Sequence, residues 1–167
     1  MVFKLLPFLI GSILHSWNAD NNIQLLRVTS ADSQYVQLTD PREYIEYAAT
    51  VNGAVSVEAS PAVHQWMEIQ GVTFYAKTPK QSWRVPLSGA TGLLIATAED
   101  AQITFTFRSK TGFRYTATGM VPAFQTVAFF TARLFTGDSD ELQIDSDRPI
   151  GVWATKCGVR CIAQDVD

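Results

Sequence analysis

The chain is poor in the side chains that carry most enzyme and metal chemistry. Its 167 residues include two histidines, His15 and His64, and two cysteines, Cys157 and Cys161. No H-E-x-x-H or C-x-x-C spacing occurs, so no zinc site is expected. There is no G-x-S-x-G elbow for a nucleophilic serine. Ser88-Gly89-Ala90-Thr91-Gly92 lacks the G-K-[ST] ending of a phosphate loop and leads into a strand pattern. The acids Asp138, Asp140, Glu141, Asp145 and Asp147 miss the calcium-loop spacing and read as turn formers. Nothing in spacing selects Glu58, Glu68 or Glu99 as a hydrolytic carboxylate pair. The sequence therefore predicts a non-enzymatic protein with no catalytic residue, no cofactor and no metal.

Charge is scarce as well. Charged residues make up 17% of the chain, against about 25% in ordinary soluble domains. A surface with so little charge suits a protein that is covered by neighbours. The net charge of −3 provides no basic field, which argues against a nucleic-acid partner. The distribution is uneven. Residues 101–137 carry Arg108, Lys110, Arg114 and Arg133 and no acid, whereas residues 138–167 carry seven acids against Arg148, Lys156 and Arg160. Two solvated faces, or complementary contact within the fold or between copies, would account for this.

On one continuous strand the Cα atoms of Cys157 and Cys161 would lie about 13 Å apart, beyond disulfide reach. They can pair only if Gly158-Val159-Arg160 forms a tight loop. No Asn-x-Ser/Thr sequon is present.

What the chain does have is alternation. In Ala101-Gln102-Ile103-Thr104-Phe105-Thr106-Phe107-Arg108 the odd positions are apolar, the period of a half-buried strand. The pattern resumes at Phe113, Tyr115 and Ala117. Two odd-numbered sets share a face of a hairpin only across an odd-length loop. A three-residue loop with Gly112 left-handed meets this and sets Phe107 opposite Tyr115 and Phe105 opposite Ala117. The run Phe124–Phe135 is apolar on both faces and reads as a central strand or one covered by a neighbour. Further strands are expected at Ile23–Thr29, Gln34–Leu38, Val63–Ile69, Val72–Lys77, Trp83–Leu87, Leu93–Ala98, Leu142–Asp145 and Ile150–Thr155, with a short one near Val159–Ala163. Asp40-Pro41-Arg42-Glu43 has the chemistry of a helix start, yet Ile45, Tyr47, Ala49 and Val51 alternate as a strand, which the all-β surroundings favour. The expected fold is all-β: a two-sheet antiparallel β-sandwich or jelly roll over residues 20–167, preceded by an apolar N-terminal arm over residues 1–19.

The arm carries Val2, Phe3, Leu5, Leu6, Phe8, Leu9, Ile10, Ile13 and Leu14. It is too short to span a bilayer, and Leu14 and Trp17 are large residues at the −3 position of both candidate signal cleavage sites. Nine such side chains left in water would forfeit about 1.5–3 kcal/mol each, so they must be buried in the chain's own core or in a neighbour. With Pro7 and Gly11 interrupting it and a polar joint at Asn18-Ala19-Asp20-Asn21-Asn22, the segment has the layout of an assembly arm, with Phe3, Leu5, Leu6, Phe8, Leu9, Ile10, Ile13 and Leu14 as its contacts.

Two functional expectations follow. The first is a structural subunit of a large assembly, a viral or phage virion protein of the capsid, decoration or tail/neck kind, partnered by copies of itself and other subunits. The alternative is a secreted or cell-surface module that recognises a glycan on an aromatic platform of Trp66, Tyr75 and Trp83.

Overall fold

The computed structural model describes residues 1–48, 53–87, 92–109, 111–112, 114–130, 139–157, 161–164 and 166–167. Fifteen strands and no helix run through these residues. They are β1 (Val2–Phe8), β2 (Ile13–Asn18), β3 (Gln24–Thr29), β4 (Gln34–Thr39), β5 (Tyr44–Ala48), β6 (Gly53–Ala59), β7 (Val63–Ile69) and β8 (Val72–Tyr75). There follow β9 (Lys80–Pro86), β10 (Gly92–Thr97), β11 (Ala101–Ser109), β12 (Arg114–Val121), β13 (Gln125–Phe130), β14 (Ser139–Cys157) and β15 (Cys161–Gln164). Two four-stranded sheets run β1-β6-β3-β4 and β5-β2-β7-β8. A seven-stranded sheet runs β12-β11-β14-β10-β13, with β9 and β15 also on β14, and curls into a half-barrel. The all-β expectation holds, with three antiparallel sheets. The added strands come from β1, β2 and β6, none of which the alternation analysis had placed in a sheet.

The strand that organises the half-barrel is β14, 19 residues long. Its first half sets Ile144 opposite both Phe105 of β11 and Trp83 of β9. Its second half sets Val152 opposite Ile95 of β10. Partners change across a register shift between Asp145 and Ile150. Pro149, expected to end one strand and begin another, sits in this shift, where its missing N–H breaks no regular ladder. The two expected strands are therefore one.

Alternation along β14 feeds two cores. Leu142, Ile144, Ile150, Val152 and Ala154 line the half-barrel interior with Trp83, Ile95, Ile103, Phe105 and Phe107. Trp153 points the other way and joins Leu5, Leu6, Leu14, Leu26, Val57, Met67 and Phe74 in a core shared by all three sheets. Its indole Nε1 donates to the Tyr75 carbonyl at 2.8 Å, which satisfies the one polar atom that burial would otherwise strand.

The β11–β12 hairpin has the expected pairing, Phe107 with Tyr115 and Phe105 with Ala117, and Gly112 is left-handed at φ 85°. Phe105 and Phe107 are buried, but Tyr115 is 52% exposed. The shared face is real. Because β12 ends its sheet, the outer half of that face overhangs into solvent. Lys110 of the expected loop and Phe113 of the expected second strand lie outside the described set. So do residues 131–135 of the run expected to be central or covered; its described part, β13, ends its sheet. Phe8 N–H donates to Thr126 Oγ1 at 3.2 Å and Ala54 N–H to the Phe124 carbonyl at 3.0 Å, so neighbours cover its flank.

The N-terminal segment is woven into the chain's own sheets. β1 pairs with β6 from Val2↔Ala59 to Phe8↔Gly53, and β2 pairs with β5 and β7. Between them Gly11, at φ 84°, turns the chain from one sheet to the next. Pro7 is accommodated because β1 is an edge strand. Leu5, Leu6 and Leu14 are buried in the shared core and Phe8 packs against it, whereas Phe3 and Ile10 are exposed. The polar stretch after β2 is a pinned corner rather than a loose joint. Asn18 is fully buried, and its amide donates to the carbonyls of Thr39, Asp40 and Asn22 at 3.0–3.2 Å.

Asp40-Pro41-Arg42-Glu43 is a turn and not a helix start. Glu43 N–H donates to the Asp40 carbonyl at 3.0 Å, and Arg42 takes φ 63°. Proline at the second position and a left-handed third residue define a type II turn. The turn leads into strand β5 as the alternation favoured; residues 49–52 lie outside the described set.

Candidate functional site

Alternation on the β5-β2-β7-β8 sheet sorts its residues cleanly. Leu14, Ser16, Val63, Gln65, Met67 and Phe74 face inward and are buried. The outer face carries Tyr44 and Glu46 of β5, His15 and Trp17 of β2, His64, Trp66 and Glu68 of β7, and Tyr75 of β8. Register fixes their arrangement. One row runs Glu46–His15–Trp66–Tyr75 across four strands, and beside it runs Tyr44–Trp17–His64. Trp17 is 38%, Tyr44 49% and Tyr75 66% exposed.

His15 is the pivot of the face and its one deeply buried polar residue. Its ring stacks on Trp66 at 5.3 Å between centroids and an interplanar angle of 6°, and on Tyr44 at 5.8 Å and 28°. The Tyr44 hydroxyl donates to Glu46 Oε1 at 2.5 Å and also meets His15 Nδ1. The phenol proton is thereby committed to the carboxylate, which assigns the proton of the second contact to Nδ1. On the far side, His15 Nε2 lies 3.4 Å from Glu68 Oε2 but makes no hydrogen bond. The imidazole thus sits between two exposed carboxylates. The hydrogen bond to Glu46, then burial, then the charges of Glu46 and Glu68 push the Tyr44 phenol up to about 12. Tyr47, on the inner side, is also raised, first by burial and then by its hydrogen bond with Tyr35.

Of the expected platform, the structure brings Trp66 and Tyr75 together as register partners and leaves Trp83 out. Trp83 is 3% exposed in the half-barrel interior, where its Nε1 donates to the carbonyls of Ile150 and Lys80 at 3.0 and 3.2 Å. Those two acceptors let a tryptophan be buried, and Lys80 Nζ lies over its ring at 4.3 Å. Trp17, Tyr44, His15 and Glu46 take its place on the platform. The sequence signal for His15 and Trp17 was the Ile13-Leu14-His15-Ser16-Trp17 stretch, masked by reading the segment as an arm; Tyr44 and Glu46 are the complementary positions of the Ile45–Tyr47 alternation.

Among the described residues no group of three His, Cys, Asp or Glu side chains is placed to hold a metal. Asp147 accepts from Gln102 N–H at 2.8 Å and Asp145 from Gln143, which are ordinary structural roles. Glu58 pairs with Arg27 at 2.7 Å. Ser88–Thr91 lie outside the described set. Cys157 of β14 and Cys161 of β15 are register partners, and Cys161 is disulfide-bonded. An open depression of about 570 Å³, lined by Val2, Phe3, Thr78, Pro79, Glu99 and Pro149, lies away from the ring-lined face. No helix of the described residues is long and apolar enough to cross a membrane.

Fold and site together define an all-β protein with a ring-lined outer sheet face. No protein-family model matches the chain, and no curated protein matches its sequence.

Proposed function

We propose that the protein is a non-enzymatic structural subunit of a large assembly, of the virion kind found in capsids, decorations and tails or necks, partnered by copies of itself and other subunits. Its two four-stranded sheets, packed about one core, are read here as the sandwich of such a subunit. The observation that carries this is β4. It ends its sheet, it reads Gln34-Tyr35-Val36-Gln37-Leu38-Thr39 without a charge, and it exposes Tyr35 at 41%, Val36 at 52% and Leu38 at 66%. Natural edge strands are guarded by lysine, proline, a bulge or a cover, and β4 shows no guarding residue. An uncharged strand of this kind is self-complementary: a second copy laid antiparallel against it completes the ladder and covers Val36 and Leu38. On its outer face the row Phe3–Glu58–Arg27–Val36 continues the patch, an ion pair between apolar flanks.

The test is native mass of the wild type and of Val36→Lys/Leu38→Glu. A defined multimer that the double variant dissolves without loss of circular dichroism supports the reading. A wild type that stays monomeric at high concentration sinks it.

A second reading, a secreted or cell-surface module that recognises a glycan, is favoured by one observation, the ring-lined face with its two carboxylates. The disulfide at Cys161 suits either a particle exposed to oxidising conditions or a surface protein.

A further inference from the structure

We propose that the outer face of the β5-β2-β7-β8 sheet binds a neutral oligosaccharide, laid across the strands from Tyr75 over Trp66 and His15 to Tyr44 and Glu46. The proposal rests on the glycan reading and is independent of self-association through β4.

Three features select the ligand. Four exposed or half-exposed aromatic residues, Trp17, Tyr44, Trp66 and Tyr75, share one face. The C–H faces of a pyranose ring are apolar and slightly positive, and they are attracted to the negative faces of aromatic rings. Glu46 and Glu68, with side chains 55% and 46% exposed, are acceptors for sugar hydroxyls, and a hydrogen bond to a charged acceptor is the stronger kind. Among the described residues no lysine or arginine lies on the face. A sialylated, sulfated or uronic glycan would therefore meet two like charges and no partner. The four-strand row spans about 14 Å at ordinary strand spacing, the scale of a short oligosaccharide rather than a single ring.

Two rival occupants fit less well. A protein partner prefers an interface centre depleted of charge, whereas here Glu46 and Glu68 flank the centre. A quaternary ammonium needs ring faces that converge around it. Tyr44, His15 and Trp66 are instead stacked side by side, with His15 and Trp66 within 6° of parallel, and form no such box. One ring pair behaves differently. Trp66 and Tyr75 are direct cross-strand partners, yet no ring contact joins them among the described residues. The Tyr75 phenol, 66% exposed, is therefore not spent on the indole and is open to a sugar ring.

His15 is a positioning residue. It is 6% exposed, its Nδ1 holds the Tyr44–Glu46 pair, and its buried Nε2 has Glu68 at 3.4 Å without a hydrogen bond. His15 thereby holds Glu46 through the Tyr44 hydroxyl, and Glu68 stands at the other edge of its ring with its carboxylate open to solvent.

The full chain is tested on an array of neutral glucose, mannose and galactose hexasaccharides, with sialyllactose and a heparin hexasaccharide beside them. Calorimetry follows with the best neutral hexasaccharide and with choline. The variants are Tyr75→Ala, Glu68→Gln and, off the face, Met120→Ala as a control, each checked for an unchanged melting temperature. Tyr75 projects into solvent, so its loss spares the core; Trp153 bonds only its backbone carbonyl. Binding of a neutral hexasaccharide that Tyr75→Ala weakens about fivefold or more and Glu68→Gln about tenfold, with Met120→Ala unchanged, is the expected result. Binding confined to the charged glycans overturns the neutral assignment and leaves the glycan reading standing. Binding of choline alone overturns both in favour of a cation site. No binding by the folded protein at millimolar sugar also overturns both.

Discussion

Gly151→Ala tests the packing that joins the half-barrel to the rest of the molecule. Gly151 and Trp153 lie on the same side of β14, and the indole folds back over the glycine. A β-carbon at Gly151 would sit 2.5 Å from Trp153 Cη2, 2.9 Å from Cζ3 and 3.3 Å from Cζ2, so the ring must move. It has little room, being 3% exposed and tied through Nε1 to the Tyr75 carbonyl at 2.8 Å. Forcing extra volume into a packed core costs about 1–3 kcal/mol. Losing the indole hydrogen bond adds about 1 kcal/mol. Removing a glycine from the unfolded chain offsets about 0.4–1 kcal/mol. A net loss of about 1–3.5 kcal/mol is expected, read as a lower urea midpoint by circular dichroism. The companion measurement places Gly151→Ala in a Trp153→Leu background, where the same change should be nearly free. A cost below about 0.5 kcal/mol, or an equal cost in both backgrounds, would refute the account of Trp153 as a wedge over Gly151.

Two further outcomes are expected. Deleting residues 1–19 removes β1 and β2, and with them Leu5, Leu6 and Leu14 from the shared core; the truncated chain should lose its cooperative unfolding transition, and a truncated monomer that still melts cooperatively would contradict the placement. In a spectrophotometric titration of the five tyrosines, Tyr44 should ionise near pH 12 rather than 10 and Glu46→Gln should bring it down. Because the fold retains this proton, the contribution of Tyr44 to stability is present below pH 10 and fades as pH rises toward 12; an unchanged titration in Glu46→Gln would remove the hydrogen bond as its cause.

The hairpin of Phe105 and Phe107 was legible because side-chain parity constrains a strand pair locally: odd faces odd only across an odd loop. β14 was not, since Pro149 is a stop signal in a regular ladder and a tolerated residue where the ladder changes partners. β6 went unread because Ala54, Ser56 and Ala59 are too small to advertise a face. The ring-lined face was half legible. Trp66 and Tyr75 sat in recognised strands, but His15 and Trp17 followed a dense apolar run, and Tyr44 and Glu46 followed a proline that mimics a helix start. Trp83 shows the converse limit: alternation gives a side chain's direction along a strand, not whether that direction leads to water or to a core. Nor does sequence show which carbonyls will accept its N–H.

The position of β14 late in the chain bears on how the protein is made. β9 waits for it as its pairing partner, β10 and β11 wait for it as their second one, and the shared core waits for Trp153. During synthesis, Trp83, Ile95, Ile103, Phe105 and Phe107 emerge from the ribosome long before the strand that will cover them. Contacts so distant in sequence form slowly, and unpaired apolar strands invite aggregation in the interval. The nascent protein therefore depends on prompt completion, or on chaperone cover, for the half-barrel to close on itself rather than on another chain.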